Sequence, residues 1–299
     1  MQRRYVTIDV FTDRAFGGNP LAVVLDAMGL TTAQMQALAR EFNYSETTFV
    51  LPPADPANTA HVRIFTPVFE MPFAGHPNVG TALVLASRAA PRPARLLFEE
   101  AAGLVAMEIS PAGAELTAPR SFARGGDADA AEVAASLGLA PADLRTGTHP
   151  PTVGSVGAAF LFAELATRAA LRDARPDAGR LGALLAATQT VGIFVYTKDG
   201  ADAAHDLHAR MFFPVGGIVE DPATGSAAVA LAAFLAALRP EADLEFAARI
   251  GQGEDMGRPS LLHTRAVKRG GGVVSTHVGG QGVEMMQGSF FLPGEDSPR

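Results

Sequence analysis

Cysteine is absent from this 299-residue chain, and lysine is almost absent. Without cysteine the protein has no disulfide, no thiolate metal ligand and no cysteine nucleophile. The lysines are Lys198 and Lys268, and each stands beside a charged neighbour, Asp199 or Arg269. Neither resembles the desolvated amine that a Schiff base requires, so the sequence argues against a pyridoxal enzyme.

Long runs of positive charge and long apolar runs are also missing. The formal net charge is −7, and Lys and Arg form no cluster longer than a pair, which argues against a nucleic-acid or membrane-surface partner. The most apolar stretch, residues 227–238, is too short to span a bilayer and predicts a buried helix. A strand pattern begins at residue 5, so we expect no signal peptide and a cytoplasmic location.

The motifs that accompany common cofactors are missing as well. The sequence contains no Walker loop, no Gly-x-Gly-x-x-Gly and no His-Glu-x-x-His, which are the motifs of nucleotide sites and zinc proteases. We therefore expect neither an organic cofactor nor a metal ion at the active site.

The chain does contain a long-period repeat. Arg-x-Phe-x-Pro occurs at residues 63–67 and again at 210–214, and Glu-x-Pro-x-x-Gly follows each copy, at 70–75 and 220–225. An apolar, alanine-rich stretch of helical character follows each final glycine. Such a repeat is typical of two related halves, and it predicts two glycine-led helix starts that face one cleft.

The length and the strand pattern define the expected fold. A chain of this length is typical of two domains of about 150 residues each. Each half shows several strands and one central helix, which predicts an α+β protein made of two pseudo-symmetric, barrel-like halves. We expect an N-terminal half over 1–117, a polar linker over 118–130 and a C-terminal half over 131–282, with the last strand, about 283–292, joining the N-terminal half.

Gly75 and Gly225 are the first candidates for a binding site. A helix start leaves N–H groups unpaired and carries partial positive charge, and glycine lets a ligand approach the backbone. Two such starts around one cavity can bind a carboxylate or stabilise an oxyanion. The simpler interpretation is that both are ordinary helix caps.

Four polar side chains are further candidates for the site. His76 can move a proton near neutral pH, Asp221 can accept a hydrogen bond from a substrate, and Ser226 occupies the position of His76 in the second repeat. Glu46 precedes a buried strand, where desolvation raises the pKa of a carboxyl towards that of a working base. The alternatives are a solvent-facing or capping His, a turn Asp, a first-turn Ser and an exposed Glu.

Several separated motifs resemble the PhzF-like phenazine-biosynthesis isomerase family, and they occur in the family's order from about residue 5 to residue 292. They are Asp-Val-Phe (9–11), Gly-Asn-Pro-Leu-Ala-Val (18–23), Met-Gln (35–36), Glu-Phe-Asn-Tyr-Ser-Glu-Thr (41–47), Phe-Thr-Pro (65–67), Pro-Phe-Ala-Gly-His-Pro (72–77) and Glu-Asp-Pro-Ala-Thr-Gly-Ser-Ala (220–227). The resemblance implies the diaminopimelate epimerase fold, with the site between the halves. The related epimerases use two cysteines as acid and base, so this cysteine-free chain follows the PhzF-like branch.

The resemblance also implies a reaction and a set of roles. The best-known activity of the family is the isomerisation of trans-2,3-dihydro-3-hydroxyanthranilate without metal or organic cofactor. Glu46 would move the proton, while His76, Asp221 and Ser226 would bind the substrate with the N–H groups of Gly75 and Gly225. Asn78 departs from the threonine that family members often carry, which concerns substrate detail more than mechanism.

Three functions follow as hypotheses. The first is a cofactor-independent isomerase that shifts a proton on a small carboxylate. The second is an amino- or hydroxy-acid epimerase or racemase, in which Glu46 and Asp221 act on the two faces of one carbon. The third is a non-catalytic protein that binds a small anion. A homodimer is expected by family analogy alone.

Overall fold

A computed structural model describes residues 2–214 and 219–291 of the chain. Its α-helices are α1 (Thr32–Phe42), α2 (Gly75–Arg88), α3 (Ala130–Ser136), α4 (Arg168–Asp173), α5 (Ala178–Thr188) and α6 (Gly225–Leu238). Its strands are β1 (Gln2–Val10), β2 (Asn19–Val24), β3 (Glu46–Leu51), β4 (Ala60–Phe65), β5 (Glu70–Met71), β6 (Arg95–Glu100), β7 (Gly103–Ser110), β8 (Gly113–Thr117), β9 (Ala123–Asp127), β10 (Thr152–Ser155), β11 (Ala159–Glu164), β12 (Gly192–Thr197), β13 (Leu207–Phe212), β14 (Glu220–Asp221), β15 (Leu244–Gln252), β16 (Ser260–Arg269), β17 (Gly272–Gly280) and β18 (Gly282–Phe291).

Helix α2 is the centre of one group of strands. It contacts β1, β2, β3, β7, β8, β17 and β18, and most of its residues are buried. Its close approach depends on Gly80, where an added Cβ would lie 2.6 Å from Leu21 Cδ2 and 2.7 Å from Val10 Cγ2. Only a residue without a side chain lets the helix pack so closely against β1 and β2.

Helix α6 is the centre of the other group of strands. It contacts β10, β11, β15, β16 and β17, and it is apolar on all sides, as expected of a helix enclosed by a sheet. Phe234 on α6 stacks on Phe162 of β11, with ring centroids 5.9 Å apart. The two helix-centred strand groups confirm the α+β fold of two barrel-like halves that the sequence predicts.

The sequence repeat corresponds to a repeated structural unit. In the first copy β4 pairs antiparallel with β5, and α2 follows; in the second β13 pairs antiparallel with β14, and α6 follows. Arg63 binds both carboxylate oxygens of Glu70 at 2.7 and 2.6 Å, and Arg210 binds those of Glu220 at 2.8 and 2.7 Å. The repeated Arg and Glu therefore join the two strands of each short hairpin by a salt bridge, just before the helix that follows.

Two antiparallel pairings join strands late in the chain to strands early in it. Strand β17 pairs with β8, with His277 opposite Thr117. Strand β18 pairs with β1, with Phe291 opposite Gln2. The last described strand thus lies against the first, and residue 292, the end of the predicted strand, lies outside the described range.

The predicted linker contains regular structure. Within residues 118–130, β9 (Ala123–Asp127) pairs antiparallel with β10. Its sequence, Ala-Arg-Gly-Gly-Asp, is largely exposed and lacks the alternation of apolar and polar residues by which a strand is recognised. The division of the chain into domains at these boundaries stays a prediction. No helix within the described residues has both the length and the hydropathy needed to cross a bilayer.

Candidate active site

The two glycine-led helix starts contact each other. A Cβ added at Gly75 would lie 2.9 Å from both Gly225 C and Ser226 N, and one at Gly225 would lie 3.2 Å from His76 N. No side chain of ordinary size fits between these backbones. The repeat therefore brings the N-termini of α2 and α6 together, although they are far apart in the sequence.

Neither of these helix starts is capped by a side chain. Ala74 precedes α2 and Thr224 precedes α6, and neither accepts a capping hydrogen bond. The other α-helices within the described residues are all capped, by Thr31, Asp129, Thr167 and Asp177. These two ends therefore differ from the other α-helix starts among the described residues, because no N-cap side chain accepts from their N–H groups.

Glu46 lies beside these helix starts. It is the first residue of β3 and is 8% exposed. Its Oε2 atom is 3.2 Å from Nδ1 of His76. Burial, and secondly the negative charge of Asp221, raise the pKa of the Glu46 carboxyl well above its ordinary value. The residue is therefore not the exposed glutamate of the simpler interpretation.

His76 is also buried, at 3% exposure. Burial lowers its pKa to about 3, and the weaker influence of the Pro20 carbonyl acts in the opposite direction. The imidazole is accordingly neutral at physiological pH. Two buried atoms of this pair, Glu46 Oε2 and His76 Nε2, have no hydrogen-bond partner within the described residues.

Asp221 is held by three donors. Asn19 Nδ2 and Ser45 Oγ donate to Oδ1 at 2.9 and 2.7 Å, and Thr224 Oγ1 donates to Oδ2 at 2.5 Å. Burial raises the pKa of Asp221, while these three hydrogen bonds oppose the rise. Asp221 therefore has better support for a negative charge than Glu46, whose Oε2 has no hydrogen-bond donor among the residues that the structure describes.

Three of these supporting residues were missed in the sequence. Asn19 belongs to a Gly-Asn-Pro segment that predicts a turn, and Ser45 and Thr224 stand next to the candidates Glu46 and Gly225. Gln252 also contributes, because its Nε2 donates to Asp221 O at 2.8 Å and its Oε1 accepts from Thr224 N at 3.0 Å. Position within the family-like motifs was the available signal for the first three residues.

A cavity of about 370 Å³ opens beside this cluster, a volume suited to a small organic ligand. Of the predicted residues, Glu46, Asp221 and Ser226 line it, whereas Gly75, His76 and Gly225 are buried and are not among its lining residues. Its full lining is Glu46, Phe69, Met71, Pro72, Phe73, Ala101, Ala102, Pro119, Arg120, Gly157, Ala158, Phe160, Val191, Met211, Phe213, Asp221, Thr224 and Ser226. Among these described residues Arg120 alone is cationic, and it is exposed.

One sequence expectation about lysine is wrong. Lys268 is 4% exposed, and its Nζ donates to Arg239 O at 2.6 Å. On strand β16 consecutive side chains point to opposite faces, so the charged neighbour Arg269 did not indicate where Lys268 lies. Lys268 is not among the residues that line the cavity.

Comparison with known proteins gives the chain its family. Residues 8–288 match the phenazine biosynthesis-like protein family. An uncharacterised isomerase of Mesorhizobium japonicum is 38% identical, over 97% of this chain and 99% of that protein. The trans-2,3-dihydro-3-hydroxyanthranilate isomerase of Pseudomonas chlororaphis is 37% identical, over 96% of this chain and 99% of that protein.

A solved structure shows the same arrangement of the chain. The crystal structure of a phenazine biosynthesis protein of the PhzF family from Bacillus anthracis matches with a TM-score of 0.88 and 25% identity, over 98% of this chain and all (100%) of that one. The family match, the related sequences and this structure agree over nearly the whole length. The chain therefore belongs to the phenazine biosynthesis-like protein family and is an isomerase.

Proposed function

We propose that this protein is a cofactor-independent isomerase that shifts a proton along a small unsaturated carboxylic acid, of the kind represented by trans-2,3-dihydro-3-hydroxyanthranilate. The observation that carries the proposal is the contact between Glu46 and His76, 3.2 Å apart, beside two touching helix starts that lack side-chain caps. The base Glu46 thus lines the same cavity as Asp221, Thr224 and Ser226, and the names of relatives such as the Pseudomonas chlororaphis enzyme support the substrate class.

The carboxylate of the substrate binds at the start of α6, where Thr224 and Ser226 line the cavity, and the start of α2 packs directly against it. Their first-turn N–H groups and the positive ends of the helices favour a negative group. Ser226 lines the same cavity and makes no side-chain hydrogen bond within the described residues, so its hydroxyl is free to bind the ligand. The apolar part of the substrate packs against walls such as Phe73 and Phe160.

The reaction moves one proton and changes no oxidation state overall. The Glu46 carboxylate removes a proton from a saturated ring carbon, and the electron pair of the broken C–H bond moves into the conjugated system. The helix N–H groups stabilise the negative charge that develops towards the substrate carboxylate. Glu46 then returns the proton to a carbon farther along the system, a new C–H bond forms, and the double bond is displaced.

The electrostatics of the cluster assign the protonation states. Asp221, with three donors, keeps the negative charge, which disfavours a second charge on Glu46. The raised pKa of Glu46 brings it nearer the working pH, where a general base combines adequate basicity with easy release of the proton. Neutral His76 lies against the Glu46 carboxyl, with Nδ1 3.2 Å from Oε2, and adds no charge to the pair.

Isotope incorporation tests this proposal. The protein is incubated with trans-2,3-dihydro-3-hydroxyanthranilate in heavy water, and the product is analysed for deuterium and for the position of its double bonds. Glu46→Gln should lower kcat about 10²–10⁴-fold, the usual contribution of a general base. Glu41→Gln is the matched control, because Glu41 is exposed and lies only five positions away on α1.

Three other outcomes of this experiment would contradict the proposed mechanism. Equal deuterium incorporation by the Glu46→Gln variant would remove Glu46 from the mechanism. An inverted stereocentre with unchanged double bonds would indicate an epimerase that uses Glu46 and Asp221. Binding of the compound by the unaltered protein without any incorporation would indicate an anion-binding protein. A homodimer and a cytoplasmic location stay predictions.

A further inference from the structure

A second cluster of ionisable side chains lies outside the active-site cavity. His205 precedes β13, His208 lies on β13, and Glu254 follows β15. Each offers one ligand atom, and these atoms all lie within 4.8 Å of one another. None of the three lines the cavity of the candidate active site. No short sequence motif predicts this cluster, because its three residues come from separate segments of the chain.

The hydrogen bonds of His208 determine which of its ring nitrogens is free. Nε2 lies 3.0 Å from Gly200 O, and since a carbonyl only accepts, Nε2 carries the hydrogen. Nδ1 of a neutral ring then presents a lone pair. The residue is 7% exposed, and Nδ1 has no hydrogen-bond partner within the described residues, although Glu254 Oε2 lies 3.2 Å away. Two acceptor atoms at this distance require a positive charge between them.

His205 also has one ring nitrogen that donates a hydrogen bond and one that keeps its lone pair. Its Nδ1 lies 3.1 Å from Asp202 Oδ1, so Nδ1 donates to that carboxylate and Nε2 keeps its lone pair. Nε2 lies 3.8 Å from Glu254 Oε1. Asp202 is itself fixed, because the backbone N–H groups of Ala204 and His205 donate to it at 2.7 and 2.8 Å. An acceptor behind each histidine is the arrangement found around protein-bound metals.

Gly251 leaves room for the three side chains to converge. It lies opposite His208 in the parallel pairing of β13 with β15. A Cβ added there would lie 2.7 Å from His205 Cδ2, 3.2 Å from His208 Nδ1 and 3.2 Å from Glu254 Oε1. A larger residue at this position would occupy the space between the ligand atoms.

We propose that His205, His208 and Glu254 bind a late first-row divalent cation, of which Zn²⁺ is the representative. Two imidazoles and one carboxylate suit such an ion, and a fourth position stays open to water. Tetrahedral ligands at Zn²⁺ bond lengths of about 2.1 Å are about 3.4 Å apart. His208 Nδ1 lies 3.2 Å from Glu254 Oε2, and His205 Nε2 lies 3.8 Å from Oε1 of the same carboxylate. Since no two of the ligand atoms lie more than 4.8 Å apart, side-chain movements bring them to one ion.

Arg168 competes with a metal ion for the Glu254 carboxylate. It donates to Glu254 Oε2 and to Asp255 Oδ2, both at 2.8 Å. The guanidinium donates to the same oxygen, Oε2, that lies 3.2 Å from His208 Nδ1, so the ion shares this carboxylate with Arg168. The competing interpretation is an ion-pair network in which His208 is protonated and no metal binds.

The position of the site indicates a structural role. Gln252 lies between Gly251 and Glu254 on the same segment, and it holds the backbone of Asp221 and Thr224. An ion bound to His205, His208 and Glu254 therefore fixes the end of β15 and, through it, the segment that carries Asp221.

The test uses the untagged full-length protein after treatment with a chelator. Titration calorimetry with Zn²⁺ should show one ion per chain, and Tm should rise with Zn²⁺ concentration, because an ion that binds the folded state stabilises it. Co²⁺ should give the visible absorption of a low-symmetry protein complex. His205→Ala, in an exposed loop, should abolish these effects, and Asp202→Asn should weaken binding about 10–100-fold through loss of the partner of His205.

His61→Ala is the control, because it removes one histidine from β4, outside the cluster, and should bind Zn²⁺ as the unaltered protein does. Gly251→Ala supplies a second test, because it keeps all three ligands but fills the space between them, and it should also lose binding. The proposal is overturned if saturating Zn²⁺ leaves Tm and the calorimetric signal unchanged, or if His205→Ala binds with unaltered affinity.

Discussion

Asn19 Nδ2 donates a hydrogen bond of 2.9 Å to Asp221 Oδ1 across 202 positions of the chain. The same amide group donates to Ala223 O at 2.9 Å, and it lies 3.5 Å from His76 Nδ1. Asn19 is fully buried at the beginning of β2. It therefore connects the opening segment of the chain with the turn before α6 and fixes the carboxylate on the cavity wall.

Asn19→Ala should consequently affect both stability and activity. Asp221 and the Ala223 carbonyl would each lose a buried donor, and this should lower the free energy of unfolding by about 1–3 kcal/mol. The displaced Asp221 should also lower kcat/KM. Urea unfolding and steady-state kinetics measure the two effects. Asn58→Ala, which removes a half-buried amide bonded to Glu99 at 2.8 Å, should leave kcat/KM unchanged; equal losses in both variants would contradict the role of Asn19.

The charge of Asp221 should be visible in the pH dependence of the reaction. Glu46 must be ionised to remove a proton, so kcat/KM should fall as pH falls through its raised pKa. Asp221→Asn removes the second cause of that rise, and the acidic limb should move to lower pH as the rate falls. Burial remains, so the limb should stay above the ordinary range of glutamate.

The control for this pH profile is Asp13→Asn, which removes a charge of the same sign from an exposed residue. Its acidic limb should coincide with that of the unaltered protein. If Asp221→Asn also leaves the limb in place, the two carboxyl groups are not coupled in the way that the structure indicates.

The contact between the helix starts makes Gly75 intolerant of a side chain. In Gly75→Ala the new methyl group would lie 2.9 Å from the backbone at Gly225 and Ser226, so α2 and α6 must move apart. We expect a loss of about 1–3 kcal/mol in the free energy of unfolding, as for other overpacked sites, and a marked fall in kcat.

Gly182→Ala is the matched control, because Gly182 lies on the exposed face of α5 and an added Cβ would meet nothing within 4 Å. This variant should gain up to about 1 kcal/mol, the helix preference of alanine over glycine. Full activity and stability in Gly75→Ala would show that the helix starts need not touch.

Glu100 should make the stability of the protein fall as pH rises. Burial raises its pKa to about 8, with a weaker opposing effect from Asn78. Between the ordinary glutamate pKa of about 4.3 and 8, the folded state holds a proton that the unfolded state has released. The free energy of unfolding then falls by up to ~1.4 kcal/mol per pH unit from this group.

Glu100→Gln should remove this contribution. Its denaturation midpoint should depend less on pH between 5 and 8 than that of the unaltered protein, and the variant should be the more stable at pH 8. Glu41→Gln, which alters an exposed carboxylate, should keep the full slope. Identical slopes in all three proteins would show that Glu100 is already ionised at neutral pH.

The features that were predictable from the sequence have local signatures. Glycine before an alanine-rich stretch marks the start of a helix, and the second copy of Arg-x-Phe-x-Pro indicated that the two starts are related. Family-like motifs drew attention to Glu46, His76, Asp221 and Ser226, and the structure brings these side chains to one place. Their roles in the reaction stay a proposal.

The features that were missed depend on long-range contacts. Asn19 has the local sequence of a turn, and its partner lies 202 positions away. Strand β9 is formed by pairing with β10, which its own residues do not indicate. Lys268 was interpreted from its neighbour, but alternation along a strand puts neighbours on opposite faces. The His205, His208 and Glu254 cluster likewise exists only after β13 and β15 have paired.

The pairing of β18 with β1 has a consequence for how the protein is made. During synthesis the chain emerges from its N-terminus, and early segments normally fold before later ones. Here β1 lacks one neighbour until β18 has been translated, whereas the strands that contact α6 all precede β18 in the chain. The strand group around α2 is thus completed after the group around α6, and termination near residue 280 would leave β1 with an open edge.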